Sequence, residues 1–161
     1  MTQPQIVWLR RDLRMADNPA LYLAAQAGPV IAAYVLDDER AGSHAYGGAS
    51  RWWLHQSLEK LAAAFEAAGP ELVIGRGSSL AELQRVAKAT GADAVFWNRR
   101  YEPASISRDR QVKEALRAAG LQAESFNGAL LHEPWTIQNK AGRAFHLLKK
   151  YLNYVLIKVG I

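Results

Sequence analysis

The chain has 161 residues, half of them hydrophobic, and 20 Lys+Arg against 15 Asp+Glu leave a net charge of +5. That length points to one domain with a genuine core. The lack of cysteine excludes disulfides, thiol catalysis and cysteine-ligated metals, and no run of about 18 apolar residues is present to cross a membrane.

The start, Met1-Thr2-Gln3-Pro4, has no basic region followed by an apolar segment, so no secretory leader is expected. The cysteine-free composition fits a cytoplasmic protein, which is the expected location. The basic residues suit a polyanionic partner, but they are scattered and identify none.

Residues 5–9 read as a buried strand that runs into the polar string Arg10-Arg11-Asp12-Leu13-Arg14-Met15-Ala16-Asp17. Paired Arg10 and Arg11 with Asp12 and Asp17 would simply brace this loop; bidentate groups at such density also suit a ligand. Asn18 is placed to cap a helix over 19–27, with Pro19 at its first position, where the missing N–H costs nothing. Gly28-Pro29 stops that helix. The almost wholly apolar residues 30–36 predict a strand covered on both faces, ending in Asp37-Asp38-Glu39.

The stretch 41–50 carries three glycines, His44 and Tyr46 but no phosphate-cradling loop pattern. A helix over about 49–68 follows, with Trp53, Leu54, Ser57, Leu58, Leu61 and Phe65 at helical spacing as its expected buried face, Trp53 as core packing. Residues 72–74 predict a third strand, Ser78 or Ser79 the cap of a helix running to Thr90, and residues 94–97 a fourth strand. Asn98-Arg99-Arg100-Tyr101-Glu102-Pro103 comes next. A helix over about 104–119 has Ile106, Val112, Leu116 and Ala119 inward and Arg108, Asp109, Arg110, Lys113, Glu114 and Arg117 on a solvated face. Residues 121–126 complete a fifth strand. His44, His55, His132 and His146 are too scattered for a metal site, and no nucleophile–base triad has usable spacing, so no catalytic residue is assigned.

This alternation predicts a Rossmann-like α/β fold: an open five-stranded parallel sheet, order 3-2-1-4-5, with helices on both faces. Its switch point lies between the first and fourth strands, where such folds bind ligands. The two most polar segments of the chain meet there. Candidate binding residues are Arg10, Arg11, Asp12, Asp37, Asn98, Arg99, Tyr101 and Glu102. Trp8, Trp97 and Tyr101 could stack on a heterocycle, although Trp8 and Trp97 lie within strands, where tryptophan is more often core.

The string Arg10-x-Asp12-Leu13-Arg14-x-x-Asp17-Asn18-x-Ala20-Leu21 resembles the opening signature of the DNA photolyase/cryptochrome family. Arg51, Leu54, Ser57 and Leu58 resemble its second signature, with Trp53 where phenylalanine is usual. Trp97-Asn98 to Tyr101-Glu102 and the Leu131-x-Glu133-Pro134 turn follow in the family's order, so the resemblance covers roughly residues 4 to 145. It implies the amino-terminal domain over 4–132. That domain would hold a light-harvesting antenna: methenyltetrahydrofolate, a deazaflavin or a flavin. Residues 133–161 would start the interdomain linker. In full-length members a helical domain then binds FAD and damaged DNA and splits cyclobutane pyrimidine dimers. With that domain absent, no repair is expected of this chain alone. Two departures stand out. Folate-binding members carry an Asn-Glu pair where this chain has Ala104-Ser105, and the family pattern stops after Phe145. A cryptochrome-type blue-light sensor and a general nucleotide-binding module, such as an electron-transfer-flavoprotein-like one, are the alternatives.

Residues 145–161 carry Phe145, Leu148, Leu152, Val155 and Val159 at helical spacing. So apolar a segment is expected to fold back as a helix or to pair with a second copy. Deleting residues 146–161 is therefore expected to lower the melting temperature or solubility, as thermal unfolding and gel filtration would register.

Overall fold

The computed structural model describes residues 2–37, 46–139 and 141–143. It divides into two units, Met1–Gly128 and Ala129–Ile161, slightly before the expected boundary at 132. The expectations for Asp38, Glu39 and His44, and for the tail over 145–161, lie outside the described residues.

The first unit alternates strand and helix: β1 (Gln5–Leu9), α1 (Pro19–Ala27), β2 (Val30–Leu36), α2 (Gly48–Ala68), β3 (Leu72–Arg76), α3 (Ser79–Thr90), β4 (Ala94–Asn98), α4 (Pro103–Ala118) and β5 (Gln122–Phe126). All neighbouring strands pair in parallel, in the order β3-β2-β1-β4-β5. In β1 successive side chains point to opposite faces, as the pleat requires. Ile6 and Trp8 join Leu83, Val86, Val112 and Leu116 beneath α3 and α4. Val7 and Leu9 join Ala20, Ala24, Leu61 and Phe65 beneath α1 and α2. All five residues of β1 and of β4 are buried, which is why both read as apolar runs apart from Gln5 at the start of β1 and Asn98 at the end of β4.

Asn18 caps α1 as its sequence position suggests, accepting from the Leu21 N–H at 3.2 Å. The other expected side-chain cap is missing. Ser78 is the N-cap of α3 but makes no side-chain bond, and the Ser79 hydroxyl instead donates to Asp37 Oδ2 at 3.0 Å. Strand β3 runs to Arg76 because Gly75 and Arg76 continue the ladder against Val35 and Leu36.

Four side chains sit differently from their periodicity. Trp53 is 69 % exposed, not core. Only Leu58, Leu61 and Phe65 of α2 are buried. A 21-residue helix is about 30 Å long, longer than the five- to seven-residue strands beneath it, so its first turns are left uncovered. Trp53 pairs instead with the neighbouring exposed Trp52, ring centroids 6.3 Å apart. On α4, Ile106 is exposed and the inward positions are Ser105, Val112 and Leu116. Asp109 falls on that same inward stripe, and Ala119, beyond the end of the helix, is exposed.

In the second unit, Pro134–Thr136 form a 3₁₀ turn, and Asn139 Oδ1 accepts from the backbone N–H groups of Ala141 and Arg143.

Candidate functional site

The carboxyl ends of β1 and β4 are adjacent, and the loops that leave them are knitted together by Asn98. Its Nδ2 donates to Asp12 Oδ2 at 2.7 Å and to Asn18 Oδ1 at 2.8 Å, while its Oδ1 accepts from the Ala20 N–H at 3.2 Å. Asn98 is only 4 % exposed, so these internal bonds replace water. The chain returns over it at Gly128, where a Cβ would stand 2.6 Å from the Asn98 side chain. Only glycine allows that approach.

Arg10 is the second organising group. It emerges from β1 on the face covered by α4, and its Nη1 donates to both carboxylate oxygens of Asp109, at 2.8 and 2.7 Å. Its Nη2 donates to the Asn98 carbonyl, and its guanidinium lies 4.5 Å from the Trp8 ring centroid. Burial pushes the Arg10 pKa down, and Asp109 pulls it back up. This explains the inward carboxylate of α4: a buried cation needs a partner. Arg108 shares Asp109 at 3.2 Å and lies 5.4 Å from a ring centroid of the same indole.

Above these groups lies a cleft of about 840 Å³, walled by the carboxyl ends of β1 and β2, by Tyr46, and by the amino-terminal turns of α3 and α4. That size falls within the range of small-molecule sites, about 300–1,000 Å³. Of the residues expected to bind a ligand, Arg10, Arg11, Asp37 and Glu102 line it. Asp12 and Asn98 belong to the bracket described above. Arg99 donates to the Ser125 carbonyl at 2.7 Å, towards β5, and Tyr101 is half-buried; neither is part of the lining.

The cleft also recruits residues that the sequence did not single out as binding: Ser79, Arg100, Ser105, Arg108 and Gln111. Their shared signal is position, because each lies in the loop after a strand's carboxyl end or in the first turns of the helix that follows it. Ala104 and Ser105 are in the wall as well. Trp8 is both core and lining: it is 1 % exposed, packs edge-on to Trp97 at 5.8 Å, and borders the cleft. Three buried polar atoms of the lining have no hydrogen-bond partner among the described residues, namely Trp8 Nε1, Arg10 Nε and Asp37 Oδ1.

At the rim, Glu102 accepts from Arg11 at 2.9 Å and from Arg100 at 3.1 Å. The Arg100 hydrogen bond is the main cause that holds the Glu102 carboxyl at about 2, well below the usual carboxylate range. A depressed carboxylate pKa stabilises the fold above the ordinary range and loses that contribution as pH falls towards the folded value. The Glu102 side chain is 45 % exposed, so solvent screens the pair and the effect on stability is small. Following the Glu102 carboxyl by NMR during acid titration is expected to give a midpoint near 2. Replacing Arg100 by glutamine is expected to move it back towards the ordinary value.

No group of three or more metal-ligating side chains occurs among the described residues, and no helix among them is long and apolar enough to cross a membrane.

Residues 5–159 match the family model described as DNA photolyase. The chain is 45% identical over 147 residues to deoxyribodipyrimidine photo-lyase of Agrobacterium fabrum and 44% identical over 147 residues to cryptochrome-1 of Arabidopsis thaliana. Each match takes in 91% of this chain but only 30% of that photolyase and 22% of that cryptochrome. The crystal structure of a class III photolyase from Agrobacterium tumefaciens superposes with a TM-score of 0.83 at 44% identity, over 91% of this chain and 30% of that one. With sheet order, signatures and superposition in agreement, the chain belongs to the DNA photolyase family and corresponds to the amino-terminal α/β domain of its photolyases and cryptochromes.

Proposed function

We propose that this domain harvests light for a DNA photolyase, holding an antenna chromophore in the cleft at the carboxyl ends of β1 and β2. The observation that carries the reading is the pair of orphaned polar atoms, Trp8 Nε1 and Asp37 Oδ1, in the lining of a ligand-sized cleft. A buried donor or acceptor left unpaired is costly, so a wall that keeps one of each is suited to a polar heterocycle. The family binds flavin and folate-type chromophores, and both offer ring N–H donors and carbonyl acceptors.

In this reading Trp8 and Asp37 contact the heterocycle, Tyr46 packs against it, and Arg11 and Arg100 at the rim attract an anionic tail. Asn98, Asp12 and Arg10 hold the wall in place. The chromophore supplies absorption in the near ultraviolet or blue. The protein supplies a fixed orientation and exclusion of water. Excitation would pass to FAD in the helical domain that the longer relatives carry, where damaged DNA is bound. Repair of cyclobutane pyrimidine dimers is proposed for such a full-length protein, not for these 161 residues alone. The reading places the domain in the cytoplasm. Pairing with a second copy through the tail over 145–161 is part of the same proposal.

Incubation with a flavin, a deazaflavin or methenyltetrahydrofolate, followed by gel filtration, is expected to leave a near-ultraviolet or blue absorption band on the protein peak. Failure of all three to co-elute would overturn the reading. A nucleotide spectrum alone would favour a general nucleotide-binding module. The 44% identity to cryptochrome-1 gives a second reading, in which the same antenna serves a blue-light sensor. Dimer repair by the full-length protein separates the two.

A further inference from the structure

Asp37 sits where β2 leaves the sheet, and its two carboxylate oxygens are in different states. Oδ2 accepts from the Ser79 hydroxyl at 3.0 Å. Ser79 is itself 2 % exposed and sits at the first position of α3. Oδ1 is buried and has no donor among the described residues, and the side chain borders the cleft. Ser79 thus lies one position inside the N-cap, which is Ser78, and its hydroxyl is committed to a carboxylate. A serine committed in this way fixes the direction of the remaining oxygen.

Resting on the antenna reading, we propose that Asp37, oriented by Ser79, is the specificity-determining acceptor of the cleft: its Oδ1 accepts from the N3–H of a cyclic lactam, O=C–N–H, in the bound heterocycle. A carboxylate oxygen is acceptor-only, so it selects a ring N–H and disfavours a ring carbonyl or an N-alkylated ring at that place. Flavins, deazaflavins and pterins all carry this N3–H lactam. It is the chemistry common to the candidate antennae, and it separates them from heterocycles that lack the donor. Asp37 would touch the ligand, whereas Ser79 is a positioning residue that acts through Asp37. Neither Oδ1 nor Trp8 Nε1 is open to water. Arg108, whose guanidinium lies over Trp8 with its side chain 21% exposed, forms the neighbouring part of the cleft wall.

The test uses the whole chain and two pairs of probes: lumiflavin with 3-methyllumiflavin, and 6-methylpterin with its N3-methyl counterpart. Affinity is read from quenching of ligand or tryptophan fluorescence. For the native chain the N3–H form of the cognate class is expected to bind roughly ten- to a hundredfold more tightly than its methylated partner, the usual worth of a hydrogen bond to a charged group. The pair that shows the ratio identifies the ring class. In Asp37→Ala the ratio is expected to collapse towards one. Ser79→Ala should reduce it and Ser79→Thr, which restores a hydroxyl, should recover it. The comparison of methylated and parent ligands on the native chain needs no variant to fold. Equal affinity for both members of a pair that binds, or a ratio unchanged in Asp37→Ala, would refute the inference while leaving the antenna reading intact. Binding of neither pair overturns the antenna reading, and the inference falls with it.

Discussion

Asp109→Ala is expected to destabilise the domain by about 3–5 kcal/mol, the usual cost of removing one partner of a buried ion pair. The Arg10 and Asp109 side chains are 5% and 12% exposed, and two bonds of 2.7–2.8 Å join them. The variant leaves Arg10 charged, because arginine stays protonated in proteins, and faces it with an apolar methyl group. A domain of this size is stable by roughly 5–15 kcal/mol, so the loss should be plain in a urea titration as a fall in midpoint at unchanged slope. The double variant Arg10→Met, Asp109→Leu is expected to recover much of the loss, since a buried pair is often no better than well-packed apolar side chains. It would also remove the guanidinium from the Trp8 ring. Recovered stability with weakened chromophore binding would show that the pair serves the cleft more than the fold. If Asp109→Ala costs less than about 1 kcal/mol, water reaches Arg10 and the pair behaves as a surface one.

Asn98→Ala is expected to cost on the order of 3 kcal/mol, because it strands the Ala20 N–H and removes a donor from both Asn18 and Asp12. The alanine methyl fills almost none of the space. Asn98→Asp keeps the shape but turns the two donors into an acceptor facing Asp12 Oδ2 and Asn18 Oδ1. It should be at least as damaging at neutral pH. The sign of its pH dependence is distinctive: the introduced carboxyl would have a raised folded pKa, so stability should rise as pH falls and the group regains a proton to donate. Gly128→Ala should act on the same bracket from outside, by pushing the Asn98 side chain. Thermal unfolding at pH 5 and pH 8 would set Asn98→Asp apart from the other two. A flat response for Asn98→Asp would mean that the loop relaxes to admit water.

Much of this architecture is legible along the chain. Strands β1 and β4 are buried along their length and β2 at its centre, so each appears as a largely apolar run with turn residues near its ends. Asn18-Pro19 announces α1 because a cap is a bond between residues three apart. Strand alternation with helices leaves little choice but a parallel sheet, and the winding then puts the ends of β1 and β4 together. Arg11, Asp37 and Glu102 could be named for the cleft from their place at strand ends alone.

What the chain by itself determined is therefore the element order, the sheet and the edge of the sheet where polar groups gather, because each rests on contacts between near neighbours or on a period of two or 3.6. What only the tertiary structure decided is which way individual side chains face once the elements are packed. Asp109 looks like a surface charge until Arg10, 99 residues away, is found behind it. Trp53 continues an apolar stripe, yet it lies on turns of α2 that extend past the sheet and have nothing to cover. Asn98 is a polar residue at a strand end, and only the fold shows its amide already engaged by Asp12, Asn18 and Ala20. Ser79 is one of two serines that could cap α3, but the helix begins at Ser79 itself and a carboxylate 42 residues away takes its hydroxyl. In each case the deciding partner is distant in sequence, and hydrophobic periodicity carries no information about a hydrogen bond or an ion pair that forms only after the sheet has closed the distance.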